Sequence, residues 1–387
     1  AVYLPDGKVN ENKRSIKVKN SDLFLKENIK TKKYKIIVSS DSKKNQYFKK
    51  LLSLGYEQNK DFCDYKEYVS LIPYIEQDMM HIWRADIMLT EKCTLNCTFC
   101  NMYMPHFKNP KHRNLDEIKS DLDSFFSLID YVSIFHLVGG EPLMWDIHWE
   151  VMQRLVITGH CKDVTIRYNT NLHRTRGGFG NRNNAWFTHQ KEVKWKNVFL
   201  YDILPKFKSV NICASIDGAG DVGEYIREGL VWKEWLQNFK DGLFLIDRFG
   251  DDAMVFDVTL TTPGLFDLKR LFDTVTELDV KSYFKFTYAF DPSVVMSPMC
   301  LPRHVKEPII NELLEYMEPR LTEKTQVYKD SLLDLLERKS FDQEYITYQQ
   351  GLQNGKRYQE HLDTIRNTKI KFRDTLNDVA KEWWDAI

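Results

Sequence analysis

From residue 82 to residue 290 the chain alternates between two hydrophobic periods, and that alternation restricts its fold more than any other feature. Strand-like stretches are "RADIMLT" (84–90), "VSIFHLV" (132–138), "VTIRYNT" (164–170), "VNICASI" (210–216), "MVFDVTL" (254–260) and "YFKFTYAF" (283–290). Between them, segments 114–130, 146–158, 232–246 and 265–278 carry apolar residues at three- and four-residue intervals, the period of a helix with one buried face. Strands separated by helices cannot be joined as hairpins; they are brought together as a parallel sheet with helices covering it, an α/β arrangement. In such sheets chemistry gathers at the carboxyl ends of the strands. The connection at 172–199, rich in Gly and Asn, is the longest and reads as a flap or as a surface excursion.

The flanks differ from this core. Residues 1–80 read as a separate small unit, with a hairpin signal at Pro5-Asp6-Gly7. A short apolar run, "YKIIVSS" (34–40), then precedes a helical pattern at 43–56. Together these look like a Rossmann-like fragment without a G-x-G-x-x-G, or a docking module. Past residue 300 the pattern becomes helical, at 304–318, 322–338, 341–367 and 370–385, as expected of a cap with solvated faces.

Lys plus Arg and Asp plus Glu number 55 each, so no overall field draws nucleic acid or an anionic membrane, and neither is expected as a partner. No apolar run approaches the roughly 18 residues of a membrane span, and the N-terminus lacks a signal peptide's apolar core. The seven cysteines form a poor disulfide framework: Cys93, Cys97 and Cys100 are crowded, while Cys63, Cys161, Cys213 and Cys300 are scattered. That usage suits a reducing cytoplasm and one thiolate site.

The crowded three lie in "EKCTLNCTFC" (91–100), just after the first core strand. Structural zinc wants four N or S ligands, usually as two pairs, and here a fourth would have to come from His106 or His112. A redox pair of Cys97 and Cys100 leaves Cys93 without a role. Iron–sulfur ligation fits better, because a short loop of soft thiolates can wrap three corners of one cube.

C-x3-C-x2-C after the first strand of an α/β unit resembles the signature of radical S-adenosylmethionine (SAM) enzymes, as does an aromatic residue, Phe99, before the last cysteine. Two further segments follow in the order that family has them. "GGEP" (Gly139, Gly140, Glu141, Pro142) comes after the second strand and resembles the segment that holds the SAM amino group. "SIDG", with Ser215 and Asp217, comes after the fourth and is followed by Arg227; it resembles the segment contacting the SAM ribose and carboxylate. Singly, these would be a turn, a surface charge, a turn cap and a helix-face charge. Their physical fit is independent of the name: glycines allow close backbone approach, Glu can accept from an ammonium, and Arg can fork onto a carboxylate. Relatives often carry Thr-Asn-Gly at the end of the third strand; here Thr170-Asn171-Leu172 stands there, and Asn169 and Asn171 are candidates for contact with SAM or substrate.

The resemblance implies a partial (β/α)6 barrel at 82–295, between an N-terminal accessory domain (1–80) and a helical C-terminal cap (296–387). It implies a [4Fe-4S] cluster on Cys93, Cys97 and Cys100, SAM on the open iron, and a flavodoxin- or ferredoxin-type electron donor. SAM would then be cleaved to a 5′-deoxyadenosyl radical that takes hydrogen from a substrate. Residues 301–387 hold no cysteine, so an auxiliary cluster is not expected there and epimerisation, rearrangement or elimination is favoured. Epimerisation needs a hydrogen donor. Cys300, after the sixth strand and near the open mouth, and Cys213, on the same side of its strand as Ser215, are the candidates; Cys63 and Cys161 read as packing residues. The expected substrate is a small polar molecule such as a sugar or nucleotide sugar. The alternatives are a ribosomal peptide docked through residues 1–80, or a non-catalytic iron–sulfur regulator.

Overall fold

The computed structural model describes 2–3, 8–11, 14–17, 36–38, 44–58, 61–64, 82–88, 93–100, 129–144, 146–177, 198–287, 292–338, 348–366 and 368–387, with 120, 123 and 126. The chain divides into two units, Ala1–His81 and Ile82–Ile387. In the first, β1 (Val2–Tyr3), β2 (Lys8–Glu11) and β3 (Arg14–Lys17) form an antiparallel meander, with Tyr3 opposite Val9 across the expected turn. Then β4 (Ile36–Val38), helix α1 (Lys44–Ser53) and β5 (Phe62–Asp64) make a βαβ unit whose strands pair in parallel. The ring of Phe48 on α1 meets that of Phe62 edge-on at 5.0 Å. The Cys63 side chain lies outside the described residues.

The second unit is built on a six-stranded sheet in chain order: β6 (Ile82–Met88), β8 (Val132–Val138), β9 (Thr165–Thr170), β12 (Ser209–Ile216), β14 (Met254–Leu260) and β15 (Lys281–Phe286). Every pairing in it is parallel. Consecutive parallel strands that advance in one direction curl towards a barrel, and the sheet is open between β6 and β15. Among the described residues of this unit, four two-residue strands lie outside it: β7 (Asn96–Cys97) pairs β13 (Arg227–Glu228), and β10 (Arg176–Gly177) pairs β11 (Val198–Phe199). The β10–β11 pair closes the base of the long connection, whose residues 178–197 lie outside those described. Most of the expected helix at 114–130 does too.

The two faces of the sheet differ in chemistry. On one, Phe135, Leu137, Ile166, Tyr168, Ile212, Ala214, Ile216, Phe256 and Val258 are fully buried. Helices α2 (Asp146–Ile157), α3 (Gly220–Ile226), α4 (Trp232–Lys240), α5 (Phe244–Phe249) and α6 (Leu268–Leu278) follow the strands they cover. Trp235 and Phe239 of α4 meet Phe256 edge-on at 5.0 and 4.6 Å. The helix expected at 232–246 is broken into α4 and α5 at Gly242, where a Cβ would stand 2.8 Å from the Tyr201 ring. Only glycine fits that close approach, and the chain turns there.

Helices α7 (Arg303–Met317), α8 (Gln326–Glu337), α9 (Tyr348–Ile365) and α10 (Asp378–Ala386) complete the unit. They pack into the same core: Tyr328 of α8 lies edge-on to Phe284 of β15 at 4.5 Å and to Phe272 of α6 at 5.3 Å. No helix among the described residues is long and apolar enough to cross a membrane.

Candidate active site

The cysteine loop sits at the carboxyl edge of the sheet, where the chain leaves β6, and is tied down by backbone pairing. Cys97 is opposite Arg227 and Asn96 opposite Glu228 in the β7–β13 ladder. Thr98 N donates to Ile226 O at 3.0 Å, and Asn96 Nδ2 to Glu228 Oε2 at 2.8 Å. From α9's end Arg366 donates to Asn96 O and lies 3.3 Å from Glu228 Oε2. A two-residue strand has little stability of its own, so these contacts fix the loop.

All three loop cysteines are free thiols of intermediate exposure. Asn171 Nδ2 donates to Cys93 Sγ at 3.4 Å and to Thr94 Oγ1 at 3.3 Å, while Arg227 Nη1 lies 3.9 Å from Cys97 Sγ. Burial pushes the Cys97 thiol up to about 12, with Arg227 acting against it, and raises that of Cys93. Among the described residues no three His, Cys, Asp or Glu side chains converge as ligands of a single ion. His106 and His112 lie outside the described residues. Asn171 and Arg227 thus put an amide and a cation beside two of the three loop sulfurs.

The "GGEP" and "SIDG" segments stand beside this loop, but their acidic side chains are engaged inside the protein. Gly139 has φ +120°, a conformation open to glycine, and Pro142 is buried in the turn that follows. Glu141 is fully buried: Oε1 accepts from Leu143 N (3.0 Å) and Thr170 Oγ1 (2.7 Å), and Oε2 from Asn171 N (2.7 Å). Burial raises its pKa against those hydrogen bonds. Only remaining lone-pair capacity on Oε2 is open to an ammonium. Asp217 is also fully buried, accepting from Arg227 Nη2 (2.9 Å) and Thr259 N (3.0 Å). Arg227 Nε is 2.7 Å from Asp217 Oδ2, close enough to pair although off hydrogen-bonding angle. Asp217 and Arg227, which the resemblance assigns to SAM contact, also pair with each other, because neither charge can be buried alone. Phe99 has the Arg227 guanidinium 6.0 Å from its ring centre.

Leu172 stands where relatives carry glycine and has φ +50°. The left-handed turn that glycine would make is kept by a leucine whose side chain is fully buried. Asn171 thus still reaches the cysteine loop without the glycine.

The other face of the sheet is polar, which is unusual for a parallel sheet. Asn169 accepts from His136 Nε2 at 2.6 Å and donates to Asp257 Oδ2 at 3.0 Å; Lys285 Nζ donates to the same oxygen at 2.7 Å. At the other end Asp86 Oδ1 is 2.6 Å from both Arg84 Nε and His136 Nδ1. Asn169 on β9 reaches Asp257 on β14 with β12 between them. In a flat sheet those strands would be about 9.6 Å apart, so this face is concave. The residues of β12 beneath the bridge are small, Cys213 and Ser215, with Ser215 in register with Asp257.

Cys213 is therefore on this face, as expected, 3.6 Å from Arg167 Nη2, and burial pushes its thiol up to about 11. Cys300 is not near an open mouth. It is fully buried, and its sulfur's partners, Thr262 Oγ1 at 3.9 Å and Val295 O at 3.6 Å, lie outside the sheet. Cys161 is buried in the core, as its packing role requires. Sequence reasoning missed Arg84, His136, Arg167, Asp257 and Lys285. Their signal was polar residues recurring on one side of parallel strands that should be apolar throughout.

The family model described as Radical SAM superfamily matches residues 87–179, which include the cysteine loop, "GGEP" and Asn171. The chain carries a radical SAM domain. Such a domain supports SAM-dependent radical chemistry and implies, in general terms, SAM and an iron–sulfur cluster. Among solved structures the chain is similar to SuiB from Streptococcus suis bound to S-adenosylmethionine, with 13% identity over 72% of this chain and 58% of that one and a TM-score of 0.42. It is also similar to SuiB bound to its precursor peptide SuiA (12%, 71% and 60%, 0.39). A third is the FeFe-hydrogenase maturase HydG from Carboxydothermus hydrogenoformans (14%, 69% and 60%, 0.33). The chain thus spans about three-fifths of the length of each, and likenesses this slight carry nothing about substrate. No curated protein matches the chain.

Proposed function

We propose that this radical SAM enzyme holds a [4Fe-4S] cluster on Cys93, Cys97 and Cys100 and abstracts hydrogen from a polar substrate seated over the concave face. When bound, the reduced cluster and SAM supply a radical able to take hydrogen from an unactivated carbon. The chain's own residues do the rest. Asn171, Arg227 and the β7–β13 ladder hold the thiolate loop. Glu141 offers its remaining lone pair to an ammonium. The His136–Asn169–Asp257–Lys285 network presents donors and acceptors to the substrate.

The observation that carries the reading is the juxtaposition of this polar face with the cysteine edge. Asn169, on β9, and Asn171, one residue past its end, connect the two. Two substrate classes meet the polar requirement. One is a ribosomal peptide docked through residues 1–80. The other is a sugar or nucleotide sugar. In an epimerisation Cys213, rather than Cys300, is placed to donate. Its S–H bond breaks, the substrate C–H bond forms, and an external reductant returns an electron and a proton to the sulfur.

The test is anaerobic turnover of the reconstituted protein with candidate peptides and nucleotide sugars, deuterated at carbon. Deuterium entering 5′-deoxyadenosine identifies the class, and a peptide that binds tightly without SAM supports docking through residues 1–80. Cys213→Ala should stop product formation while SAM cleavage continues, and Cys300→Ala should stop neither. The opposite pattern, or deuterium transfer from no polar substrate, contradicts the reading.

A further inference from the structure

The charges on the concave face pair off, with one left over. Arg84 pairs with Asp86 at 2.6 Å, Lys285 with Asp257 at 2.7 Å and Lys281 with Asp252 at 3.2 Å. Arg167, at the centre of β9, has no carboxylate partner among the described residues. Among the described residues its one hydrogen bond runs from Nη2 to the sulfur of Cys213, and its buried Nε has no acceptor there. Neighbouring side chains do not supply one: Asn211 Nδ2 is turned to Asp252 O, and Tyr283 Oη donates to Asp252. A guanidinium has five donors, and a thiol sulfur satisfies it poorly. A half-buried cation left in this state beside a polar face is a binding element waiting for an anion.

We infer that Arg167 binds the anionic oxygen group, carboxylate or phosphate, of the substrate and so fixes how deep that substrate lies beneath the cysteine edge. This rests on the reading of the concave face as the substrate site. At a strand rise of about 3.3 Å per residue, Arg167 lies roughly 13 Å along β9 from Asn171, the residue that touches Cys93. An anion held at Arg167 leaves the substrate's next few atoms beside Asn169 and Cys213, between the anchor and the edge where SAM is held. Arg167 is thus a specificity residue for the position of the reacting carbon.

The test is calorimetric titration of the reconstituted, SAM-loaded protein with inorganic phosphate and, separately, acetate at fixed ionic strength. The proteins compared are the wild type, Arg167→Met and Arg167→Lys. At least one anion should bind the wild type, with affinity at least tenfold lower in Arg167→Met and an intermediate loss in Arg167→Lys. Preference for phosphate points to a phosphorylated substrate and preference for acetate to a carboxylate. Equal affinity in wild type and Arg167→Met for both anions overturns the assignment. So does a tenfold loss of SAM affinity in Arg167→Met with anion binding unchanged, which would give Arg167 to SAM. The Lys variant keeps the charge and tests the inference should Met disturb the fold. The enzymatic reading fails by a separate measurement, absence of SAM cleavage by the wild type, which leaves the anion titration standing.

Discussion

At the scale of single residues, Leu172 shows what the site asks of the backbone. A non-glycine residue in the left-handed region costs about 1–2 kcal/mol, and burial of the leucine side chain offsets it by a comparable amount. Replacing a buried leucine by alanine ordinarily costs about 2–5 kcal/mol, and by glycine more, because glycine gains freedom in the unfolded chain. Here the order should reverse. Leu172→Gly relieves the strain while Leu172→Ala keeps it, so in denaturant unfolding the Gly variant should be the more stable by about 1 kcal/mol. The usual order would show that the turn is not strained. The sequence marked this position only as a missing glycine; the φ angle that explains it is a property of the folded turn. The place of the cysteine loop, just after the first core strand, was legible, since its spacing is local. Pairing of Asp217 with Arg227 was not, because a motif does not say which of its charges meet each other before they meet a ligand.

Elements carry the next level of the account. The strands at 132–138 and 254–260 fall where the alternating pattern put them. The helix at 232–246 did not survive as one piece, since a single glycine beneath Tyr201 overrides its periodicity. Helix α2 contributes a pH dependence. His148 is fully buried against Tyr168 Oη at 2.8 Å, and burial lowers its pKa from 6.5 to about 3. The unfolded chain therefore binds the extra proton between those values, and stability falls as pH drops below 6.5, by about 1.4 kcal/mol per unit. Asp267 works the other way, its carboxyl raised by burial to about 6. The comparison must therefore be with His148→Gln, which can keep the Tyr168 hydrogen bond. Between pH 7 and 5 the wild type should lose about 2 kcal/mol relative to that variant. Parallel curves would mean that His148 is protonated in the folded protein.

The second unit as a whole couples its C-terminal helices to the cysteine loop. Arg366, at the end of α9 and 3% exposed, reaches Asn96 O, Glu228 and, at 3.5 Å, Tyr225 O. Asp363 and Gln359 of α9 both hold the Tyr225 hydroxyl, Asp363 at 2.8 Å. The expected solvated cap is thus also a clamp on the cysteine loop, a role written in contacts 130 or more residues apart in sequence and so invisible to local patterns. In Arg366→Met the reconstituted protein should surrender iron to a chelator roughly fivefold faster, from about 1 kcal/mol of lost loop stability. An unchanged rate would confine α9 to packing. The central claim, that the loop, the "GGEP" turn and the concave face form one radical-generating site, is tested most directly by the fate of SAM. The reconstituted, dithionite-reduced protein should convert SAM to 5′-deoxyadenosine, and the variant with Cys93, Cys97 and Cys100 all replaced by Ala should neither retain iron near four per chain nor cleave SAM. No 5′-deoxyadenosine from the wild type, with SAM leaving the cluster's spectrum unchanged, would contradict the account.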